Sequence, residues 1–234
     1  MNKQNKYFGL LVAGALSAGS LFVAGSAHAT PVAGPTPYSD GLQLLVADKL
    51  FTFNSCEITG TGAAGSPIGN CAGAGLVVAP RVDPGLIGFA MLGAVIAANG
   101  SVRDIALSYT VDVLDPNQRI SDAHLVLVGS ADTGGVMHVD EIMRNGTTPE
   151  AEINVAGVTS LIGNAVTVDL LSHLDVSKDI LLIAGGTPDS TPPVITNYSI
   201  MIQEFSQTSV PEPVTMTVFG LALAGLGLIR RKRT

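Results

Sequence analysis

From Val102 to Leu114 apolar and polar residues alternate, with Ile105, Leu107, Tyr109, Val111 and Val113 on one face and Ala106, Ser108, Thr110 and Asp112 on the other. A period of two is the repeat of an extended chain with one face turned to a core, so this stretch predicts a half-buried strand. Ile120 to Val128 returns with Leu125 and Leu127 alternating against Val126 and Val128, and the short Asp115-Pro116-Asn117 turn predicts that the two form a hairpin. Gly85 to Ala98 is apolar throughout; in a helix Gly88 and Gly93 would each cost about 1 kcal/mol, so a long buried strand is expected. Shorter strands are expected at Leu50 to Phe53, Leu76 to Val78, Val136 to Met143, Glu150 to Val155, Ala165 to Leu171, Asp179 to Ala184 and Tyr198 to Phe205. Leu42 to Ala47 admits a short helix. Asn99-Gly100, Asn145-Gly146 and Gly185-Gly186 are turn or loop signals between these runs.

About eight short strands separated by Gly, Asn and Pro turns predict an all-β fold, an antiparallel two-sheet β-sandwich of Ig-like or jelly-roll-like form. Composition agrees: the interior of the chain is rich in Gly, Ala, Val, Thr and Ser, has no Trp, and holds few of the Lys and Glu residues that fill exposed helix faces. No βαβ rhythm and no repeat of 20 to 50 residues is present.

Both ends depart from this pattern. Lys3 and Lys6, an apolar run from Phe8 to Val23, and Ala27-His28-Ala29 before Thr30 have the order of a secretory signal peptide, its helix removed by signal peptidase after Ala29. At the other end Val210-Pro211-Glu212-Pro213 breaks any regular element, because proline fixes φ and lacks an N–H. Sixteen uncharged residues, Val214 to Ile229, then precede Arg230-Arg231-Lys232-Arg233. That run predicts a short transmembrane helix, below the roughly twenty residues of a comfortable span. Four cations hold their end in the cytoplasm and leave the rest outside. The expected organisation is a signal peptide over 1–29, an exported β-sandwich over 30–209 and a membrane-inserting tail over 210–234.

The Pro-Glu-Pro motif, short apolar helix and basic terminus resemble the PEP-CTERM sorting domain of exported bacterial surface proteins. The resemblance covers the last twenty-five residues, and more loosely the β region before them, including the stretches SYTVDVLDPNQRISDAHLVLVGS and VSKDILLIAGG. It implies processing near Pro211-Glu212-Pro213 by an exosortase after anchoring at the inner membrane. It also implies release to the cell surface or extracellular matrix, in company with exopolysaccharide, biofilm or floc.

Charge narrows the partners. Between Thr30 and Ser209 lie eighteen of the nineteen acids but six of the twelve Lys and Arg, a net charge near −12. Such a surface repels phosphate backbones, so nucleic acid is not expected. Cys56 and Cys71 flank a Gly-rich loop and, in an exported chain, read as a disulfide that stabilises the fold by roughly 3 kcal/mol. Metal binding there would need two further soft ligands, and the sequence offers none nearby.

No nucleophile elbow, phosphate loop or histidine pair at metal spacing occurs, and no cofactor or enzyme activity is expected. His138 and Asp140 share a strand face by period two alone. Asp112, Asp115 and Asp122 flank the proposed hairpin turn; as a group they are calcium candidates, and as solvated charges they guard a strand edge. The expected role is structural or adhesive, with a carbohydrate-binding matrix module as the alternative and a secreted hydrolase as a third class. A sugar-stacking lectin is disfavoured by the scarcity of aromatics, Tyr38, Tyr109 and Tyr198 being the only tyrosines between the two ends.

Mass spectrometry of the mature protein is expected to find Thr30 at its N-terminus and residues 214–234 missing. Neutral replacement of Arg230 to Arg233, or Glu212→Ala, is expected to block maturation; unchanged processing of either variant would overturn the sorting assignment.

Overall fold

A computed structural model describes residues 31–61, 68–157 and 161–210. The expected signal peptide, with Ala27, Ala29 and Thr30, and the expected sorting tail from Pro211 onward, with Glu212, Pro213 and Arg230 to Arg233, lie outside them.

Thirteen strands make up the described chain: β1 (Thr36–Pro37), β2 (Gln43–Val46), β3 (Lys49–Thr61), β4 (Gly69–Asn70), β5 (Val77–Asp83), β6 (Leu86–Ala98), β7 (Val102–Val113), β8 (Gln118–Ala131), β9 (Val136–Asn145), β10 (Thr148–Gly157), β11 (Leu161–Leu171), β12 (His173–Ile183) and β13 (Ile195–Ser209). They form two antiparallel sheets. One has six strands in the order β1-β5-β6-β13-β8-β11; the other has seven, β10-β9-β12-β7-β3-β2, with β4 beside β3. Within these, β6-β13-β8-β11 facing β7-β12-β9-β10 is the strand order of a jelly roll, widened on one edge by β5 and β1 and on the other by β3, β2 and β4.

Alternation decides which side chains enter the gap. Along β7, Ile105, Leu107, Tyr109 and Val111 are buried while Ala106 is exposed and Asp104, Ser108 and Thr110 are partly covered. The long apolar stretch expected as a strand is β6, and it too alternates: Phe89, Met91, Val95 and Ala97 are fully buried. Gly88 has a separate reason to be glycine, since a Cβ there would run into the carbonyl oxygen of Gln203 on β13.

At the centre of the gap Phe89, from the six-stranded sheet, inserts among three aromatics of the seven-stranded sheet. Its ring lies 5.3 Å from Phe51, 4.9 Å from Phe53 and 5.1 Å from Tyr109, each nearly edge to face. Such pairs add about 0.5–1.5 kcal/mol beyond the area they bury. Phe205 from β13 closes the group, 6.1 Å from Phe51.

Two expectations are corrected. β7 and β8 are not a hairpin: β7 pairs with β12 and β3, whereas β8 pairs with β13 and β11 in the other sheet. Both strands carry an apolar face that must be buried, and a short turn can either pair two such strands or pass between sheets so that their apolar faces oppose. Leu42 to Ala47 is not helical; it contains β2, with Leu44 and Val46 buried on one face and Gln43 and Leu45 on the other. The cysteine pairing holds, as Cys56 and Cys71 form a disulfide with Cα atoms 5.5 Å apart.

Phe89→Ala is expected to lower unfolding free energy by about 3–5 kcal/mol, because it removes the knob shared by three rings and leaves a cavity. Urea denaturation followed by circular dichroism measures it; a loss below about 1 kcal/mol would contradict the central place given to this residue.

Candidate functional site

Burial of one face of each sheet leaves two outer faces, and their chemistry differs. On the six-stranded sheet, register aligns Val77, Leu92, Ile200 and Val128 in one row and Ala79, Ala90, Ile202 and Val126 in the next. A third row is charged: Arg81 Nε donates to Glu204 Oε1 at 2.7 Å, with His124 one strand further.

The outer face of the seven-stranded sheet is polar instead. Asp140 on β9 stands opposite Asp179 on β12, itself opposite Ala106 on β7 and then Glu57 on β3. The next row is Ile142, Ser177, Ser108 and Ser55, with the two β3 and β7 hydroxyls 2.8 Å apart. Across these rows runs a shallow groove made of two adjoining depressions. One, of about 500 Å³, is lined by Asp140, Ile142, Glu152, Ser177, Lys178 and Asp179. The second, of about 230 Å³, is lined by Asn54, Ser108, Arg144 and Asp175 and shares Ser177. The side chains of Lys178 and Tyr109 are buried in the core, so at the groove floor only their main chains are presented.

Carboxylates also crowd the sheet face around this groove. Burial, then a hydrogen bond shared with Asp179 and that residue's charge, push the Asp104 carboxyl up to about 6. His138 Nε2 meets Asp140 Oδ2 at 2.9 Å, as their shared strand face predicts. His173 Nδ1 meets Asp112 Oδ1 at 2.7 Å, and its Nε2 lies 3.5 Å from Asp175. For His173 partial burial acts downward, but the hydrogen bonds and charges of Asp112 and Asp175 outweigh it and raise the imidazole above its ordinary value.

The calcium candidates do not converge. Asp112 is engaged by His173 on the seven-stranded sheet, Asp122 by His124 on the six-stranded sheet, and Asp115 accepts from the backbone N–H of Asn117 in the turn between. Among the described residues no three His, Cys, Asp or Glu side chains are grouped as metal ligands.

One constellation arises that the sequence does not reveal, because Ser206 is 82 residues from His124. Ser206 Oγ lies 3.4 Å from His124 Nε2, and Asp122 Oδ1 lies 2.6 Å from the same nitrogen. A Ser-His-Asp relay needs the carboxylate on one ring nitrogen and the hydroxyl on the other, so this cluster lacks the geometry to pass a proton along. The groove itself was equally hidden, since Glu152, Asp179, Ser177, Ser108 and Arg144 become neighbours only through the pairing of β10, β9, β12 and β7.

No family model and no curated protein matches the chain. Solved structures with some likeness include the carbohydrate-binding module TmCBM61 in complex with beta-1,4-galactotriose, at 8% identity over 57% of this chain and 87% of that one, with a TM-score of 0.31. Another is an isomalto-dextranase of Arthrobacter globiformis T6 complexed with panose, at 10% identity over 73% of this chain and 36% of that one, TM-score 0.32. A GH31 alpha-xylosidase from Xanthomonas citri has 8% identity over 75% of this chain and 22% of that one, TM-score 0.21. Likeness at these scores carries no argument about function.

The carboxylate crowding makes a signed prediction. The folded-state value of Asp104 lies above its ordinary 3.8, so the contribution of its protonated form is complete below about pH 4 and is lost as pH rises through about 6. Asp104→Asn is therefore expected to raise Tm at about pH 8 and leave it unchanged near pH 3.5, as read by calorimetry; an equal shift at both pH values would contradict the assignment.

Proposed function

We propose that this chain is an exported, non-enzymatic surface or matrix protein that adheres to exopolysaccharide through the outer face of its seven-stranded sheet. It reaches that place by exosortase processing of its Pro-Glu-Pro tail. The observation that carries the binding assignment is the groove, in which Asp140, Asp179, Glu152 and Asp175 offer carboxylate acceptors beside Ser177, Ser108 and Asn54. Sugar hydroxyls are donors and acceptors in close succession, and an extended polar groove meets several of them at once.

Stacking does not contribute to this mode. Every aromatic side chain between Thr30 and Val210 is buried: Tyr38, Phe51, Phe53, Phe89, Tyr109, Tyr198 and Phe205. Recognition rests on hydrogen bonds, which supports a low-affinity, many-site adhesive role rather than tight capture of one short glycan. Burial of Lys49, Arg103 and Lys178 also leaves only Arg81, Arg119 and Arg144 of the six core cations near the surface, so anionic polymer would be repelled and neutral or cation-bridged polymer favoured. The disulfide supports an oxidising destination.

The mature protein is expected to be retained on immobilised exopolysaccharide from its producing culture. Asp140→Asn with Asp179→Asn is expected to weaken retention roughly tenfold, given about 1.5 kcal/mol or more for a hydrogen bond to a charged group. Failure of the wild-type protein to bind, or binding indifferent to both substitutions, would overturn the groove assignment.

A further inference from the structure

Deep between the sheets lies a group of polar side chains that the groove does not use. Lys178 on β12, Glu141 on β9, Gln203 on β13 and Tyr109 on β7 are all buried. Glu141 stands directly opposite Lys178 in the seven-stranded sheet, and Lys178 Nζ contacts its Oε2. The same Nζ reaches across the gap to Gln203 Oε1 on the opposite sheet, 2.6 Å away, and lies 5.8 Å from the centre of the Tyr109 ring. Among the described residues, Glu141 Oε1, Gln203 Nε2 and the Tyr109 hydroxyl find no hydrogen-bond partner.

As a purely structural network this is poor. A buried ion pair repays its desolvation only when the remaining polar atoms are satisfied, and here three are not. It does bring together the three groups an amide exchange needs: an amine, a carboxyl group and an amide. Burial lowers the Lys178 ammonium and raises the Glu141 carboxyl, in both cases against the pair's own charge and hydrogen bond. Transfer of one proton from Nζ to Glu141 gives a neutral amine, which is a nucleophile, beside a carboxylic acid and a neutral amide.

We propose that in the folded protein Lys178 and Gln203 are joined by an intramolecular amide bond between Nζ and Cδ, with Glu141 carrying the protons. The neutral Nζ attacks Gln203 Cδ, which becomes tetrahedral, while the Glu141 acid donates its proton to Gln203 Oε1. Glu141 then takes a proton from Nζ and passes it to Nε2; the Cδ–Nε2 bond breaks, ammonia leaves, and the carbonyl reforms as Oε1 returns its proton to Glu141. One amine and one primary amide become one secondary amide and one ammonia, with no oxidant and no outside reagent. The unpartnered Gln203 Nε2 is the leaving group.

The bond would tie β12 to β13 and so the seven-stranded sheet to the six-stranded one, a covalent link through the core. Lys49 repeats part of the pattern, buried and in contact with Gln207 on β13, but its carboxylate neighbour Asp48 is 3.5 Å away and the site is at the end of the gap.

Trypsin reads the bond in the full-length protein after reduction and denaturation. No Lys or Arg other than Lys178 lies between Arg144 and Arg230, and acylated lysine is not cleaved. The fragment beginning at Asn145 is expected to run uncut through Lys178, to contain Gln203, and to weigh one ammonia less than its sequence. Glu141→Gln, nearly isosteric, is expected to restore both cleavage after Lys178 and the full mass. Complete cleavage after Lys178 in the wild-type protein would overturn the inference. So would a deficit of one water with Lys178 joined to the fragment that holds Glu141, which would place the bond on the carboxyl group. The wild-type digest decides these outcomes even if the variant fails to fold.

Discussion

The structure depends on one insertion: a phenylalanine from the six-stranded sheet driven between rings of the seven-stranded sheet. Phe89 meets Phe51, Phe53 and Tyr109 at 4.9 to 5.3 Å, close enough that the two inner faces cannot slide by a residue without breaking three edge-to-face contacts. A slip of one residue in any strand would also send its buried set to solvent. The register of the sandwich, and hence which side chains stand beside one another on its outer faces, follows from satisfying both constraints together.

Once the inner faces are used, the outer faces are what the chain has left for contact with anything else. The six-stranded sheet presents Val, Leu, Ile and Ala rows; the seven-stranded sheet presents Asp, Ser, Thr and Asn. Withdrawal of three of the six core cations into the interior sharpens this division, because their charges no longer offset the surface acids. Arg103 shows how such a burial is tolerated: its guanidinium donates to the carbonyls of Thr61 and Val102. Lys178 instead is matched to a carboxylate and an amide drawn from two other strands, one of them in the opposite sheet.

Much of the local structure was legible. The alternation in Val102 to Leu114, the unbroken apolar run from Gly85 to Ala98 and the turns at Asn99-Gly100 and Asn145-Gly146 each correspond to an observed element or break. Asn99 and Gly100 both have positive φ, the conformation that favours those residue types. The Cys56 and Cys71 pairing was legible because two cysteines and a flexible loop leave one choice. Less was legible at the level of partners. Asp115-Pro116-Asn117 carries the same signal whether the next strand pairs with the last or crosses to the other sheet. The calcium grouping of Asp112, Asp115 and Asp122 depended on that hairpin and does not assemble.

By itself, then, the sequence determined the longer strands but not β1, β2 or β4, and with them which faces are apolar, the cysteine pair and the acidity of the region between its two unusual ends. These are properties of residues near one another in the chain, and period-two patterning expresses them directly. Only the tertiary structure decided the sheet to which each strand belongs, the groove floored by Ser177, and the meeting of Lys178, Glu141 and Gln203. The reason is physical: strand neighbours in a jelly roll are chosen by closing one core from both sides, and that choice is global, whereas a strand's own alternation is the same beside any partner.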